Sequence, residues 1–165
     1  MSVRRLRRAL TCYRIGDPDG EFPIFDATGS TIYPGRWNDQ DSPVIYTAET
    51  YSGAMLEKLA GGGGEMPGNQ HYIEITVPAK GSYEVVTKDS LPGWDSADYG
   101  PSRTFGVHWL EEKRSLLLFV PSYVARVERN VLINPAHPEF SSIEVTLEHP
   151  VWWDERLFPP AGDLE

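Results

Sequence analysis

The run Leu116-Leu117-Leu118-Phe119-Val120 is the feature that most restricts how this chain can fold. It is the most apolar stretch in the sequence, and Pro121 closes it. A short apolar run of this kind, bounded by a breaker, is typical of a buried strand. Such a strand needs partners in a sheet and covering layers on its faces. The run therefore predicts a central strand with the other elements arranged around it.

Further strands are predicted from short apolar or alternating runs bounded by turn residues. They are Thr11–Ile15, Val44–Tyr46, His71–Val77, Ser82–Val86, Val131–Ile133 and Ile143–Leu147. With 15 glycines and 14 prolines, the sequence favours short strands and loops over a helical bundle. At 165 residues, without an internal repeat, we expect a single α+β domain with a mixed, mostly antiparallel sheet.

Two helices are predicted beside these strands. The first follows Tyr46, with Thr47 or Thr50 as its cap, and ends at Gly61–Gly64. The second spans Arg103–Glu112, with Ser102 as its cap. The four glycines follow a helix and lack a Gly-Lys-Ser/Thr ending, so we interpret them as a flexible linker and exclude a phosphate loop.

Charge and cysteine content restrict the class of protein. A formal net charge of −9 argues against general nucleic-acid binding, which needs a basic face, but it leaves room for a local cationic pocket. Cys12 is the single cysteine, and the four histidines are scattered, so no disulfide framework or metal site is predicted. Without a signal-peptide or membrane-spanning run, we expect a cytoplasmic protein that does not enter the membrane.

The N-terminal segment, residues 1–12, is basic. It contains Arg4, Arg5, Arg7 and Arg8, and we interpret it as a solvated or frayed arm, with contact to a partner as the alternative.

Residues Tyr33–Ala60 hold the most suggestive group of side chains. Arg36 lies in the turn Gly35-Arg36-Trp37-Asn38, Tyr46 closes a strand, and Glu57 lies in a helix among small neighbours. A turn, a strand and a helix can bring these three side chains into one cleft, which would suit an anionic ligand with a flat ring and a sugar bond. Taken singly, each has a plain alternative. Glu57 can face water beside Lys58, and Arg36 can be an exposed turn residue.

Arg14 is a fourth candidate, because it lies between Tyr13 and Ile15 in the first predicted strand. Burying a guanidinium is costly without an anionic partner. The sequence leaves two partners open, namely a core acid and a ligand phosphate.

A series of short motifs resembles the RES-domain family, bacterial toxins of toxin–antitoxin pairs named for an arginine, a glutamate and a serine. In order they are Tyr13-Arg14, Gly35-Arg36-Trp37-Asn38, Ile45-Tyr46-Thr47-Ala48, Ala54-Met55-Leu56-Glu57, Leu118-Phe119-Val120-Pro121-Ser122 and Asn134-Pro135-Ala136-His137-Pro138. The resemblance covers residues 13–158, which leaves the arm 1–12 and a tail 159–165 outside it.

The resemblance implies a fold like that of the ADP-ribosyltransferase toxins and an activity that degrades NAD+ by hydrolysis or phosphorolysis. NAD+ is then the substrate, and neither a cofactor nor a metal is implied. The implied partner is an Xre-type antitoxin with a helix-turn-helix region in a hetero-oligomer, its other end blocking the toxin's cleft. DNA would be contacted only through the antitoxin.

By motif, the implied site residues are Arg14, Arg36, Tyr46, Glu57 and a serine, either Ser122 or Ser102. The chemistry of the bond suggests their roles. The carboxylate would stabilise positive charge growing on the ribose, the tyrosine would stack on nicotinamide, and the arginines would bind the pyrophosphate. The serine would orient the nicotinamide amide or a water. An ADP-ribosyltransferase acting on a macromolecule and a non-enzymatic binding module are the alternatives.

Overall fold

One sheet organises residues 2–160, the part of the chain that the computed structural model describes. Within this range it has nine strands, β1 to β9 in chain order. They are Arg4–Arg5, Leu10–Gly16, Ile45–Ala48, His71–Val77, Ser82–Val85, Leu117–Pro121, Arg129–Ile133, Glu144–Val145 and His149–Pro150.

The order of strands across the sheet is β1-β5-β6-β7-β3-β2-β4-β8, and β9 also pairs with β4. Among the described pairs, β5 and β6 run parallel and the others are antiparallel. Every residue of β6 is buried, with β5 on one side and β7 on the other. The predictions of a central apolar strand and of a single α+β domain with a mixed, mostly antiparallel sheet are confirmed.

Within residues 2–160 there are three α-helices, namely α1, Thr28–Ile32; α2, Tyr51–Ala60; and α3, Gly100–Glu112. Short 3-10 helices span Pro138–Ser142 and Glu155–Leu157. Thr50 caps α2, its hydroxyl oxygen accepting a hydrogen bond from the backbone N–H of Gly53 at 2.9 Å.

The start of α3 differs from the prediction. The helix begins at Gly100, not at Arg103, and Ser102 is buried in its first turn instead of capping it. Pro101 suits the first turn of a helix because its ring presets φ and its missing N–H is not needed there. Tyr99 precedes the helix in the left-handed conformation, with φ of 63°.

Alternating side chains of β6 enter two different cores. Leu117 and Phe119 pack on one face of the sheet, whereas Leu118 and Val120 pack with Trp109 of α3 on the other. Along β7, Leu132 joins the second of these cores. Asn130, two residues earlier on the same face, contacts α2. Helices α2 and α3 therefore cover the same face of the sheet.

The N-terminal arm is more ordered than expected. Arg4 and Arg5 form β1 and pair with Tyr83 and Ser82 of β5. The Arg5 guanidinium also lies 3.2 Å from the Glu139 carboxylate. The interpretation of a frayed terminus is wrong for these two residues, because backbone pairing and an ion pair hold them against the sheet edge.

The C-terminal part is less regular than predicted. The strand expected over residues 143–147 is reduced to Glu144–Val145 at the sheet edge. Of the predicted tail 159–165, residues 161–165 lie outside the described residues. No helix in the described part of the chain has the length and apolar character needed to cross a bilayer.

Gly61–Gly64 form the turn that ends α2. Gly63 and Gly64 have φ of 66° and 87°, a conformation that glycine adopts without strain.

Candidate active site

A cleft of about 730 Å³ opens over the sheet, and side chains from β2, β3, β6, β7, α2 and the loops line it. Its volume falls within the range of roughly 300–1,000 Å³ that small-molecule sites occupy. The chemically active side chains of its wall are Tyr13, Arg14, Tyr33, Arg36, Tyr46, Glu57, Lys58, Tyr99, Tyr123 and Asn130. Arg14, Arg36, Tyr46 and Glu57, which are far apart in the sequence, are thus brought together.

Arg14 occupies a gap between two strands. Strands β2 and β3 share one described residue pair, Tyr13 with Ala48, and then diverge. There the Arg14 side chain donates from Nη1 to the carbonyl of Tyr46 at 2.8 Å and from Nε to the carbonyl of Ile24 at 2.6 Å. Backbone carbonyls hold these two nitrogens, whereas the sequence analysis left open a core acid or a ligand phosphate.

The third nitrogen of the Arg14 guanidinium, Nη2, is not used in these contacts. It makes no hydrogen bond with any residue in 2–160, and the side chain lines the cleft. Burial lowers the pKa of Arg14, and the nearby Asp26 carboxylate opposes that shift. An arginine titrates so far above neutrality that it keeps its charge here.

Tyr46 holds the turn that carries Arg36. Its hydroxyl donates to Oδ1 of Asn38 at 2.7 Å and accepts from the backbone N–H of Trp37 at 3.1 Å. Burial raises the pKa of Tyr46 well above its ordinary value, so the side chain is a neutral phenol. A Cβ on Gly35 would lie 2.7 Å from the Tyr46 hydroxyl, so the turn passes the ring only because residue 35 is glycine.

Helix α3 closes the other side of this turn. A Cβ on Gly106 would lie 1.9 Å from the carbonyl oxygen of Trp37, so a side chain at position 106 would displace the turn. Trp37 is buried in the core beneath α3. The turn is therefore clamped between a strand and a helix, which fixes where Arg36 emerges.

Arg36 lies between two aromatic rings. Its guanidinium carbon is 4.4 Å from the ring centre of Tyr99 and 4.2 Å from that of Tyr123. Nη1 donates to the carbonyls of Ser96 at 2.8 Å and Trp94 at 3.2 Å. Such stacking restrains an arginine without neutralising it. Arg36 therefore joins three loops at the wall of the cleft while keeping its full charge.

Glu57 projects from α2 toward β6 and β7. Its Oε1 accepts a hydrogen bond from the Ser122 hydroxyl at 3.0 Å and another from Nδ2 of Asn130 at 2.9 Å. Its Oε2 accepts none from the described residues. The carboxylate is thus held by neutral donors on one oxygen.

The two candidate serines occupy different environments. Ser122 is buried and contacts Glu57. Ser102 is also buried, but its hydroxyl donates to the Tyr99 carbonyl at 3.2 Å and makes no hydrogen bond to Glu57, and neither serine is among the residues that line the cleft. Of the two, Ser122 is the serine that contacts the Glu57 carboxylate.

The cleft carries an excess of positive charge. Its charged lining consists of Arg14, Arg36 and Lys58 against the single carboxylate of Glu57. None of the three cations forms a salt bridge with a residue in 2–160. Burial lowers the pKa of Lys58, and the charge of Arg14 lowers it further. In a protein with a formal charge of −9, unpaired cations concentrated in one cleft indicate an anionic ligand.

Sequence reasoning missed several side chains of the cleft. Asn130 immediately precedes the predicted strand Val131–Ile133 and shares the helix-covered face with Leu132, which alternation along a longer strand would have indicated. Tyr123 adjoins Ser122 in sequence, but its stacking on Arg36 has no local signal. Lys58 was considered only as a solvated neighbour of Glu57.

Cys12 is unsuited to nucleophilic chemistry. It is fully buried in the sheet core, and burial raises its pKa to about 11. Only the thiolate is a strong nucleophile, so this thiol is inert near neutral pH. Among residues 2–160, no three His, Cys, Asp or Glu side chains are grouped as they would be around a metal ion.

Comparison with known proteins gives three results. The RES domain family matches residues 11–154. The chain is 37% identical over 138 residues to the "Prs ADP-ribosylating toxin" of Sphingobium sp. (strain YBL2), covering 81% of this chain and 86% of the relative. It is 34% identical over 138 residues to "Toxin Res" of Pseudomonas putida, covering 79% and 90%.

The fold is also similar to a chain in the crystal structure of the M. tuberculosis MbcT–MbcA toxin–antitoxin complex. The TM-score is 0.70 over 89% of this chain and 86% of that one, at 16% identity, a likeness of fold alone. The family match and the sequence identities together go further, because the family match spans residues 11–154 and the two relatives cover about four fifths of the chain at more than 30% identity. This chain belongs to the RES-domain family.

Proposed function

We propose that this protein is the toxin of a toxin–antitoxin pair and that it cleaves the nicotinamide–ribose bond of NAD+. The observation that carries the proposal is the setting of Glu57. Its carboxylate is held by neutral groups, leaves Oε2 without a partner in residues 2–160, and shares a cleft with three unpaired cations and five tyrosines. A dinucleotide with two phosphates, a ribose and two flat rings matches that set of groups.

The bond to be broken explains the need for a carboxylate. Nicotinamide leaves NAD+ as a neutral base with the electron pair of the bond, and positive charge develops on the ribose as in other glycosyl transfers. The negative charge of Glu57 stabilises that state, and its Oε2 is placed to accept hydrogen bonds from ribose hydroxyls. Water then adds to the ribose carbon and loses a proton, or phosphate adds in its place.

The cations and rings of the cleft have complementary roles. Nη2 of Arg14 and the Lys58 ammonium are available for the pyrophosphate, with Arg36 adding positive charge from the wall. The Tyr46 ring stacks on nicotinamide. Because the Tyr46 hydroxyl is already bonded to Asn38 and Trp37, the ring provides a fixed surface and does not transfer protons.

The test is direct measurement of NAD+ turnover. Purified protein is incubated with NAD+, and nicotinamide and ADP-ribose are quantified with and without inorganic phosphate. Nicotinamide release by the wild type, and its loss in Glu57→Gln, is the expected result. ADP-ribose as the second product indicates water as the acceptor, and ADP-ribose 1″-phosphate indicates phosphate. Intact NAD+ after prolonged incubation with folded, antitoxin-free protein would overturn the proposal.

A second activity is favoured by one relative, which is named an ADP-ribosylating toxin and is 37% identical to this chain. In that case the same cleft transfers ADP-ribose to a macromolecule, because cleavage of the bond is common to both reactions. NAD+ labelled in its adenylate half separates the two. Label in free ADP-ribose or its phosphate supports NAD+ degradation, and label retained on protein or nucleic acid supports transfer.

The proposed partner is an Xre-type antitoxin with a helix-turn-helix region. The support is the family itself and the fold shared with a chain from a toxin–antitoxin complex. We expect a neighbouring gene product of this type to co-purify with the toxin and to preserve NAD+ levels in cells that express both. Undiminished toxicity on co-expression, with no complex on size exclusion, would contradict the pairing.

A further inference from the structure

The two oxygens of the Glu57 carboxylate have different surroundings. Both observed donors, the Ser122 hydroxyl and Nδ2 of Asn130, bind Oε1, at 3.0 and 2.9 Å. Ser122 is itself held, since its oxygen accepts from the backbone N–H of Ala125 at 3.0 Å. A carboxylate bound in this way has little freedom to rotate, because rotation would break two hydrogen bonds to a charged group.

Asn130 is the better anchored of the two donors. It lies in β7, where it pairs with Ala48 of β3 on one side and Val120 of β6 on the other. Its amide orientation is also determined, because only the NH₂ group can donate to a carboxylate. In this orientation Oδ1 is buried and receives no hydrogen bond from the described residues. The contact with Glu57 thus offsets the cost of leaving that oxygen without a donor.

We propose that Asn130 is a positioning residue that, together with Ser122, holds Oε1 of Glu57 so that Oε2 is presented to the substrate. The proposal rests on the proposed function and assigns a role to a residue outside the arginine–glutamate–serine set. Asn130 acts through Glu57 and has no contact with the substrate in this role.

The neutrality of both anchors matters for the reaction. A guanidinium in place of Asn130 would hold the carboxylate equally firmly, but it would cancel the charge that the ribose requires in the transition state. An amide fixes the position and leaves the carboxylate its negative charge. The other charged groups of the cleft, Arg14, Arg36 and Lys58, contact Glu57 through no salt bridge in residues 2–160.

The decisive variant is Asn130→Asp, which replaces the amide with a group of the same shape that can carry a negative charge. Two carboxyl groups at hydrogen-bonding distance cannot both ionise easily. We expect the acid limb of the kcat/KM profile for NAD+ to move upward by about one pH unit or more. The cations and tyrosines of the cleft are unchanged in this variant. A purely structural role would lower kcat/KM at every pH without moving the limb, and that result would overturn the proposal.

A second variant covers the case in which Asn130→Asp does not fold. Asn130→Ala removes one charge-assisted hydrogen bond, and we expect kcat to fall about tenfold or more while KM for NAD+ changes little. An unchanged kcat, or a loss confined to KM, would overturn the proposal. Asn69→Asp is the matched charge control, because Asn69 is exposed and outside the cleft, and its pH profile should match that of the wild type.

A measurement without turnover separates this inference from the proposed function. The ¹³C resonance of the Glu57 side-chain carboxyl, assigned by its absence in Glu57→Gln, is followed against pH in the wild type and in Asn130→Asp. The titration midpoint should be higher in Asn130→Asp, whether or not the protein consumes NAD+. Equal midpoints overturn the role of Asn130. A higher midpoint in Asn130→Asp, combined with a wild type that leaves NAD+ intact, overturns only the proposed function.

Discussion

Glu57 and Glu84 are two carboxylates with contrasting surroundings in this molecule. Glu84 on β5 is 1% exposed and accepts two hydrogen bonds from the Arg114 guanidinium, at 3.1 and 3.2 Å. Glu57 on α2 is partly exposed in the cleft, and its donors are a hydroxyl and an amide. The more deeply buried acid is the neutralised one. The two carboxylates therefore differ both in burial and in the charge of their partners, and Glu57 is the one that keeps its negative charge without an ion pair in residues 2–160.

The arginines show the same contrast. Arg114 uses its guanidinium to neutralise Glu84, whereas Arg14 and Arg36 bond only to backbone carbonyls and, for Arg36, to tyrosine rings. Groups that only position a side chain leave its charge available. Four predictions test this division, from the largest expected effect to the smallest.

The largest effect is expected at Glu57. Glu57→Gln keeps the shape of the side chain but removes its charge, so NAD+ cleavage should slow by about 10²–10³-fold, the cost of losing one preorganised stabilising group. Stability should change by less than about 1 kcal/mol, because no ion pair is broken. Rates of nicotinamide release and urea unfolding curves measure the two quantities. A Glu57→Gln protein that still cleaves NAD+ as the wild type does would contradict the role assigned to the Glu57 carboxylate.

At the ion pair of Arg114 and Glu84 we expect the opposite pattern, namely a loss of stability without a loss of specific activity. Arg114→Ala leaves Glu84 buried without its cation and should lower the free energy of unfolding by about 3 kcal/mol. The specific NAD+-cleaving activity of the remaining folded protein should be unchanged at a temperature well below its unfolding midpoint. The double variant Glu84→Gln with Arg114→Ala should recover part of the stability, and no recovery would show that the pair is not coupled.

The two candidate serines, Ser122 and Ser102, provide the third test, in which the expected effect is smaller. Ser122→Ala removes one hydrogen bond to the charged Glu57 and should cost about 1.5 kcal/mol in the activation free energy, roughly a tenfold loss of kcat. Ser102→Ala is the matched control, since its hydroxyl bonds to the Tyr99 carbonyl and not to Glu57. Equal losses in both variants would contradict the assignment of Ser122 to the site.

The smallest effect concerns the anchoring of α2. The Thr50 side chain caps this helix and donates to Glu128 at 2.7 Å, in the segment that also carries Ser122. Thr50→Ala should lower stability by about 1 kcal/mol. Thr50→Ser retains the hydroxyl and should behave like the wild type in thermal unfolding. A loss of activity in Thr50→Ala far larger than its loss of stability would show that the cap also sets the position of Glu57.

Part of this structure was predictable because it depends on local patterns. The apolar run closed by Pro121 indicated the central strand, alternation indicated β4, and the alternatives Thr47 or Thr50, with Gly61–Gly64, marked the ends of α2, where the structure has Thr50 as the cap. The start of α3 was missed because Ser102 looks like a cap, while Pro101 supports an earlier beginning. The pairing of Arg4 and Arg5 was missed because an edge strand of two residues has no periodicity to detect.

The sequence by itself determined the longer strands and the two longer helices, the family and the residue types available for chemistry, since these depend on local patterns and on the order of short motifs. Only the tertiary structure decided what each charge does. It assigned Arg14 to the gap between β2 and β3, placed Arg36 between two tyrosines, and set Asn130 against Glu57. The physical reason is that the stabilisation of a charge depends on the groups that surround it in space, and those groups are dozens of residues away along the chain.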